Sequence, residues 1–188
     1  MKFVVTFDLD GVLCRPPFGI NPGKGRHRSR TASGKHGLLW MTERWRYLGR
    51  KPMPGAVVGF RELSARYDCR VLSARSEAAR GLTEAWFARY FGSIPEINLR
   101  AGWHETPAAY KARRVQELGA IAHFEDDPHT ANWLSDLLPA VFLIDWPRNH
   151  WLEADHVHRI ARLDQAAAVL ERLSHGDAER RKASNPGL

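Results

Sequence analysis

The stretch Lys2-Phe3-Val4-Val5-Thr6-Phe7-Asp8-Leu9-Asp10-Gly11-Val12-Leu13 decides how this chain is read. Its first six residues are mostly β-branched or aromatic and predict a buried strand. Two carboxylates, two residues apart, stand at the end of that strand, and Gly11 permits a sharp turn after them. An Asp at a strand end can attack phosphorus when a cation and helix N-termini hold the incoming phosphate. A second Asp can then protonate the leaving oxygen. Taken alone, the motif fits an Asp-Gly turn with a capping Asp equally well. A calcium loop fits poorly, because the regular array of further oxygen ligands is missing.

Outward from this strand the chain alternates. A helix is predicted from Gly55 to Tyr67, a strand from Cys69 to Ser73, and a helix capped by Ser76 running to Tyr90. A third strand covers Ile94 to Leu99. Thr106-Pro107 starts a helix that Gly119 stops, and a fourth strand follows from Ile121 to Phe124. Pro128 starts a helix to Leu137, Ala140 to Ile144 is a fifth strand, and Asp164 caps a last helix to Leu173. Strands alternating with helices of this length predict an α/β fold: a three-layer, doubly wound parallel sheet with helices on both faces. Functional residues in such a sheet gather beyond the carboxyl ends of the strands. Residues 1–175 read as one domain and 176–188 as a flexible tail. Cys14 and Cys69 lie at opposite ends of neighbouring strands, which argues against a disulfide between them.

Those carboxyl ends carry chemistry. Strand two ends in Val71-Leu72-Ser73-Ala74-Arg75, where a hydroxyl can donate to a phosphoryl oxygen and Arg75 can pair with it as a fork. A helix N-cap is the plainer reading of that serine. Lys111, early in its helix, can offset the charge of a phosphate, although a solvated helix face would explain a single lysine. Strand four ends in Glu125-Asp126-Asp127-Pro128. Three acids after a buried strand repel one another and call for a cation, and magnesium binds through one or two carboxylates plus other oxygens. A helix cap accounts for Asp127 but not for its two neighbours. None of the nine histidines forms a convincing metal set; His156 and His158 alternate on a predicted strand.

The chain of 188 residues carries 28 Lys+Arg against 21 Asp+Glu, a net +7. The charge is uneven: residues 15–51 hold ten basic side chains against the single acid Glu43, a net +9, which leaves the remainder at −2. This segment is dense in Gly, Pro and Ser, apart from an expected amphipathic helix over Gly37 to Leu48. It reads as a basic insertion at about 15–53 in a nearly neutral domain. Met1–Phe7 does not read as a signal peptide, no stretch approaches the roughly 20 apolar residues of a membrane helix, and two cysteines build no disulfide framework. These features predict a cytoplasmic protein with no membrane association. The sequence leaves the oligomeric state open.

Asp8-Leu9-Asp10-Gly11, Ser73, Lys111 and Glu125-Asp126-Asp127, in this order after successive strands, resemble the motifs of the haloacid dehalogenase (HAD) superfamily of phosphohydrolases. The resemblance spans about residues 2–145. It implies Asp8 as a nucleophile that forms an aspartyl-phosphate and ligates Mg2+. It implies Asp10 as general acid and base, its backbone carbonyl a further ligand; the presence of that second Asp is similar to the phosphatase branch. Ser73, Ala74 and Arg75 would bind the phosphoryl group, and Lys111 would offset its charge. Asp126 would hold magnesium, with Glu125 or Asp127 assisting.

In this superfamily the stretch after strand one can form a cap over the site, and the basic insertion occupies that position. The motif wording looks most like the nucleotidase and polynucleotide-end phosphatase branches, so the implied substrate is a nucleotide or nucleic-acid end, with Arg26, Arg28 and Arg30 as candidate contacts. Three alternatives stay open: a phosphatase of a small phosphorylated metabolite, a phosphotransferase, and a nucleic-acid-binding module on an inactive scaffold.

Overall fold

Six strands, β1 (Val4–Phe7), β2 (Asp68–Ser76), β3 (Ile97–Arg100), β4 (Ala120–Glu125), β5 (Ala140–Ile144) and β6 (Val157–Ile160), form one sheet in the order β3-β2-β1-β4-β5-β6. Every neighbouring pair is parallel. The structure, a computed structural model, describes residues 2–16, 49–100 and 105–183. The expected helix over Gly37 to Leu48 and the candidate contacts Arg26, Arg28 and Arg30 lie outside the described residues. Among the described residues, five α-helices cross between the strands or follow them: α1 (Ala56–Arg66), α2 (Arg80–Phe91), α3 (Pro107–Glu117), α4 (Pro128–Ser135) and α5 (Ala167–Ala183). No helix among the described residues is long and apolar enough to cross a membrane.

The sheet separates two apolar layers. On one face Phe7 stacks on Phe124 at 4.4 Å between ring centroids, and Phe124 on Phe142 at 4.7 Å. Phe60 of α1, Phe87 and Phe91 of α2 and Leu170 of α5 close over that row. On the other face Leu72, Val141 and Leu143 meet Tyr110 and Val115 of α3 and Ala131 and Leu134 of α4. The doubly wound arrangement expected from the alternation is therefore present.

The strands are added outward in opposite directions from the β1–β4 boundary, β2 and β3 on one side and β5 and β6 on the other. At such a switch point the connections leave to opposite sides and open a crevice beyond the strand ends. Asp8 follows β1, and Glu125 ends β4, so the acids of both motifs reach that crevice. Gly11, at φ 95°, turns the chain back after β1, and the amides of Leu13 and Cys14 donate to Leu9 O at 3.1 and 2.7 Å. The insertion leaves and returns side by side: Arg15 N donates to Lys51 O and Met53 N to Leu13 O, both at 2.8 Å, around an antiparallel bridge between Cys14 and Pro52.

Several boundaries differ from the sequence reading. β2 runs three residues past Ser73, because Ala74 and Arg75 form a bulge: Ser73 pairs with Leu99 and Ser76 with the next residue, Arg100. β3 starts at Ile97 and not at Ile94, since Pro95 cannot donate to a ladder and Ile94 is exposed. The helix expected from Ser76 opens as a 3-10 turn over Glu77–Ala79. Asp164 lies inside a 3-10 turn whose leading amides, Ala161 N and Arg162 N, donate to Gln165 Oε1. α5 continues to Ala183, beyond the expected end at Leu173. His158 lies in β6, whereas His156 precedes it in a left-handed turn at φ 63°. Cys14 and Cys69 are both free thiols.

Two glycines test the packing of the first layer. A Cβ at Gly59 in α1 would come within 2.9 Å of Leu163 Cβ, whereas one at Gly81 in α2 meets nothing within 4 Å. Alanine favours a helix over glycine by about 1 kcal/mol, and overpacking costs about 1–3 kcal/mol. Gly59→Ala should therefore lower, and Gly81→Ala raise, the midpoint of urea unfolding. A gain at Gly59 would mean that α1 and the 163 turn are not in close contact.

Candidate active site

Asp8 carries one oxygen 3.0 Å from Lys111 Nζ, and the same ammonium lies 2.6 Å from Glu125 Oε2. All three side chains are buried. Lys111 reaches this place because α3 is set by its start. Thr106 Oγ1 accepts from Ala109 N at 3.2 Å, Pro107 occupies the first turn, and Tyr110, Ala112 and Val115 fix the apolar face. Burial disfavours the ammonium, but Asp8 and Glu125 outweigh it and hold the Lys111 pKa above its ordinary value.

Glu125 accepts hydrogen bonds at both oxygens. Its Oε2 accepts from Lys111 and, at 3.2 Å, from His123 Nε2, while its Oε1 accepts from the amides of Asp126 and Asp127 at 3.0 and 3.1 Å. Burial would raise its pKa, yet Lys111 and the His123 hydrogen bond hold it well below the usual carboxylate range. An ionised Glu125 requires the proton of His123 on Nε2, so Nδ1 accepts from Thr6 Oγ1 at 2.8 Å. A continuous buried polar chain thus runs Thr6–His123–Glu125–Lys111–Asp8 beneath the crevice.

Asp126 Oδ2 is 2.6 Å from Arg148, and the Asp126 carbonyl accepts from the buried Asn149 at 3.2 Å. Asp127 points into a helix cap: its Oδ2 accepts from Thr130 N at 3.0 Å and Thr130 Oγ1 at 2.8 Å. Asp8, Glu125 and Asp126 offer oxygens within 4.8 Å of one another, a grouping that fits a metal ion. These are hard oxygen donors, the type that suits magnesium. Of the two neighbours of Asp126, Glu125 belongs to this group and Asp127 does not.

Ser73 is buried at the end of the regular part of β2, with Ala74 half-buried beside it. Arg75 N lies 3.4 Å from Ser73 Oγ. The Arg75 guanidinium faces Asp10, with Nε 2.8 Å from Oδ2 and an Nη 2.7 Å from Oδ1. Arg50, on the returning arm of the insertion, also contacts Asp10 Oδ1. Asp8, Asp10, Ser73, Arg75, Lys111, Glu125, Asp126 and Asp127 therefore all lie around one crevice or bound it.

Sequence reasoning passed over His123, Arg50, Arg148 and Asn149. A signal existed for His123, two residues before Glu125 on one strand and hence on the same face. Arg148 follows the carboxyl end of β5, a position where site residues collect. Nothing local marked Arg50 among the ten basic residues of the insertion.

The buried polar chain has a pH signature. Burial lowers the His123 pKa more than its bond to Glu125 raises it. Its contribution to stability is complete above about 6.5, the unfolded value, and is lost as pH falls through the lower folded value. Glu125 behaves likewise from about 4.3 downward, and the raised Lys111 loses its contribution only above about 10.4. The melting temperature should fall between pH 7 and pH 5, and His123→Gln should flatten that slope. Some slope should persist, because burial also lowers His158. An unaltered slope in His123→Gln would remove His123 as a cause.

No family model and no curated protein matches the chain. Solved structures do. A haloacid dehalogenase-like family hydrolase from Streptococcus pneumoniae superposes with a TM-score of 0.61 at 13% identity, covering 90% of this chain and 98% of that one. The D,D-heptose 1.7-bisphosphate phosphatase from B. bronchiseptica, solved with magnesium and phosphate, gives 0.54 at 12% identity, covering 92% and 99%. A chain of the Pnkp1/Rnl/Hen1 RNA repair complex gives 0.56 at 16% identity over 78% of this chain. That match takes in 43% of the repair polypeptide, so this chain spans less than half its length. The parallel six-stranded sheet, its strand order and these superpositions together give the chain the haloacid dehalogenase-like fold.

Proposed function

We propose that the protein is a magnesium-dependent phosphomonoester hydrolase that works through an aspartyl-phosphate on Asp8. The observation that carries this reading is the juxtaposition of Asp8, Lys111 and Asp126 at the switch point, with Asp10 two residues further on. The fold shared with hydrolases and a bisphosphate phosphatase supports it.

In this reading Asp8 attacks phosphorus in line with the departing ester oxygen. Lys111 holds one oxygen of Asp8 and offsets the charge that gathers as the phosphate approaches. Asp10 stands as a carboxylate beside Arg75 and Arg50, so the proton it gives arrives with the substrate, a phosphomonoester monoanion. Asp10 takes up that proton and passes it to the leaving oxygen, so the P–O ester bond breaks as the Asp8–phosphorus bond forms. Water then cleaves the acyl phosphate, with Asp10 taking its proton. Ser73 would donate to a phosphoryl oxygen. Magnesium, when bound by Asp8, Asp126 and the Asp10 carbonyl, would neutralise phosphate charge.

For the substrate we favour a nucleotide or a nucleic-acid end. The +9 segment begins and ends beside Asp8 and Asp10, and one neighbour in fold belongs to an RNA repair complex. A small sugar phosphate is the second reading, supported by the heptose bisphosphate phosphatase neighbour. Ionised acids around a buried lysine also favour an enzyme over a binding module on an idle scaffold, since burying such charges is costly without a use for them.

Asp8→Asn should reduce turnover of any phosphomonoester by on the order of 10⁴-fold or more while leaving the circular dichroism spectrum unchanged. Near wild-type hydrolysis in that variant would overturn the nucleophile. Chelation should abolish activity, and added Mg2+ should restore it. Replacing Arg26, Arg28 and Arg30 together by Gln should raise KM for a phosphorylated oligonucleotide far more than for an aryl phosphate, with a shallower salt dependence. Equal effects on both substrates would favour the sugar-phosphate reading.

A further inference from the structure

Arg75 was expected to fork onto a phosphate, yet its fork is directed at a carboxylate. Its Nε and one Nη meet the two oxygens of Asp10 at 2.8 and 2.7 Å, the side-on pairing that fixes a carboxylate plane. Three features aim it there. The bulge that Ala74 and Arg75 add to β2 turns this side chain out of the ladder and across the end of β1. The second Nη donates to Thr83 Oγ1 at 3.2 Å, and that hydroxyl is itself tied to Ala79 O at 2.9 Å. Cys14 Sγ lies 3.8 Å from the Nη that meets Asp10. The guanidinium is 4% exposed and Asp10 30%, so the cation stands behind the carboxylate and the carboxylate faces the crevice.

A second arm comes from the insertion. Arg50 contacts Asp10 Oδ1, and its side chain is also largely buried. Its backbone is anchored, because Trp86 Nε1 donates to Arg50 O at 2.8 Å. The adjoining residues Lys51 and Pro52 form the ladder with Arg15 and Cys14.

We propose that Arg75 is a positioning residue for Asp10, not a phosphate ligand, and that Arg50 makes the insertion stem a second support of the same carboxylate. This rests on the reading of Asp10 as the acid that protonates the leaving oxygen. Arg75 then acts only through Asp10. It matters where the ester oxygen needs a proton to depart, and matters less where the oxygen leaves as a stable anion.

The test compares kcat/KM, which reports the steps through loss of the leaving group, for an alkyl phosphate and for p-nitrophenyl phosphate. Arg75→Ala should lose about 10² on the alkyl ester, within the range of a general acid, and at least tenfold less on the nitrophenyl ester. Added to Asp10→Asn it should cost nothing further, since two residues acting as a unit are not additive. Millimolar guanidine should restore part of the alkyl activity in Arg75→Ala. Arg50→Ala should show the same split between substrates at smaller size.

Equal losses on both esters, with full additivity to Asp10→Asn, would return Arg75 to the phosphoryl group and overturn the proposal. No loss at all would overturn it as well. If Arg75→Ala fails to fold, Arg75→Lys keeps the charge, lacks the fork and carries the same comparison. Failure of the underlying reading looks different: the single variant Asp10→Asn would then lose equally on both esters, or the wild type would cleave neither, and the proposal would fall with it.

Discussion

Lys111 puts one ammonium between the carboxylates of Asp8 and Glu125, with all three side chains nearly out of contact with water. Two like charges about 4 Å apart repel by about 4 kcal/mol at an effective dielectric of 20, and here Asp126 joins the other two acids within 4.8 Å. Without the lysine, acids at the ends of two adjacent strands would have to take up protons or part. The remaining structure serves that contact. The Thr106 cap and Pro107 fix where α3 begins, its apolar face fixes its rotation, and His123 with Thr6 fixes the far side of Glu125. An ion pair this deep contributes little net stability over an apolar substitute, but breaking it by removing one partner is costly.

What could be read in the sequence was what the backbone itself determines. Alternation of strands and helices gave the parallel sheet, and residues at strand ends gave Asp8, Ser73 and Asp126, because position along a strand translates directly into position at the crevice. What escaped depends on contacts between distant residues. Arg75 was placed at the right strand end, but its pairing with Asp10 was not foreseen, since the bulge that turns it toward Asp10 leaves no mark in composition. Arg148 and Arg50 meet Asp126 and Asp10 across 22 and 40 residues of chain. The helix α5 outran its expected end because the sequence beyond Leu173 is polar and contains Gly176, which reads as a tail.

The described basic residues also alter how the net charge is understood. Counted along the chain, the excess looked like a bare positive collar. In three dimensions the arginines nearest the crevice are already committed, Arg75 and Arg50 to Asp10 and Arg148 to Asp126. Among the described residues, each of these guanidinium groups is thus already paired with a carboxylate.

The short ladder at the foot of the insertion has a thermodynamic consequence of its own. Because Leu13–Arg15 and Lys51–Met53 are hydrogen-bonded to each other, the closure entropy of everything between them is settled at the stem. That entropy grows only with the logarithm of loop length, by about 0.6 kcal/mol for each doubling. By that measure alone, a change in the number of residues between the two arms would alter stability little. Arg50 sits just inside the junction, so its hold on Asp10 is set at the stem.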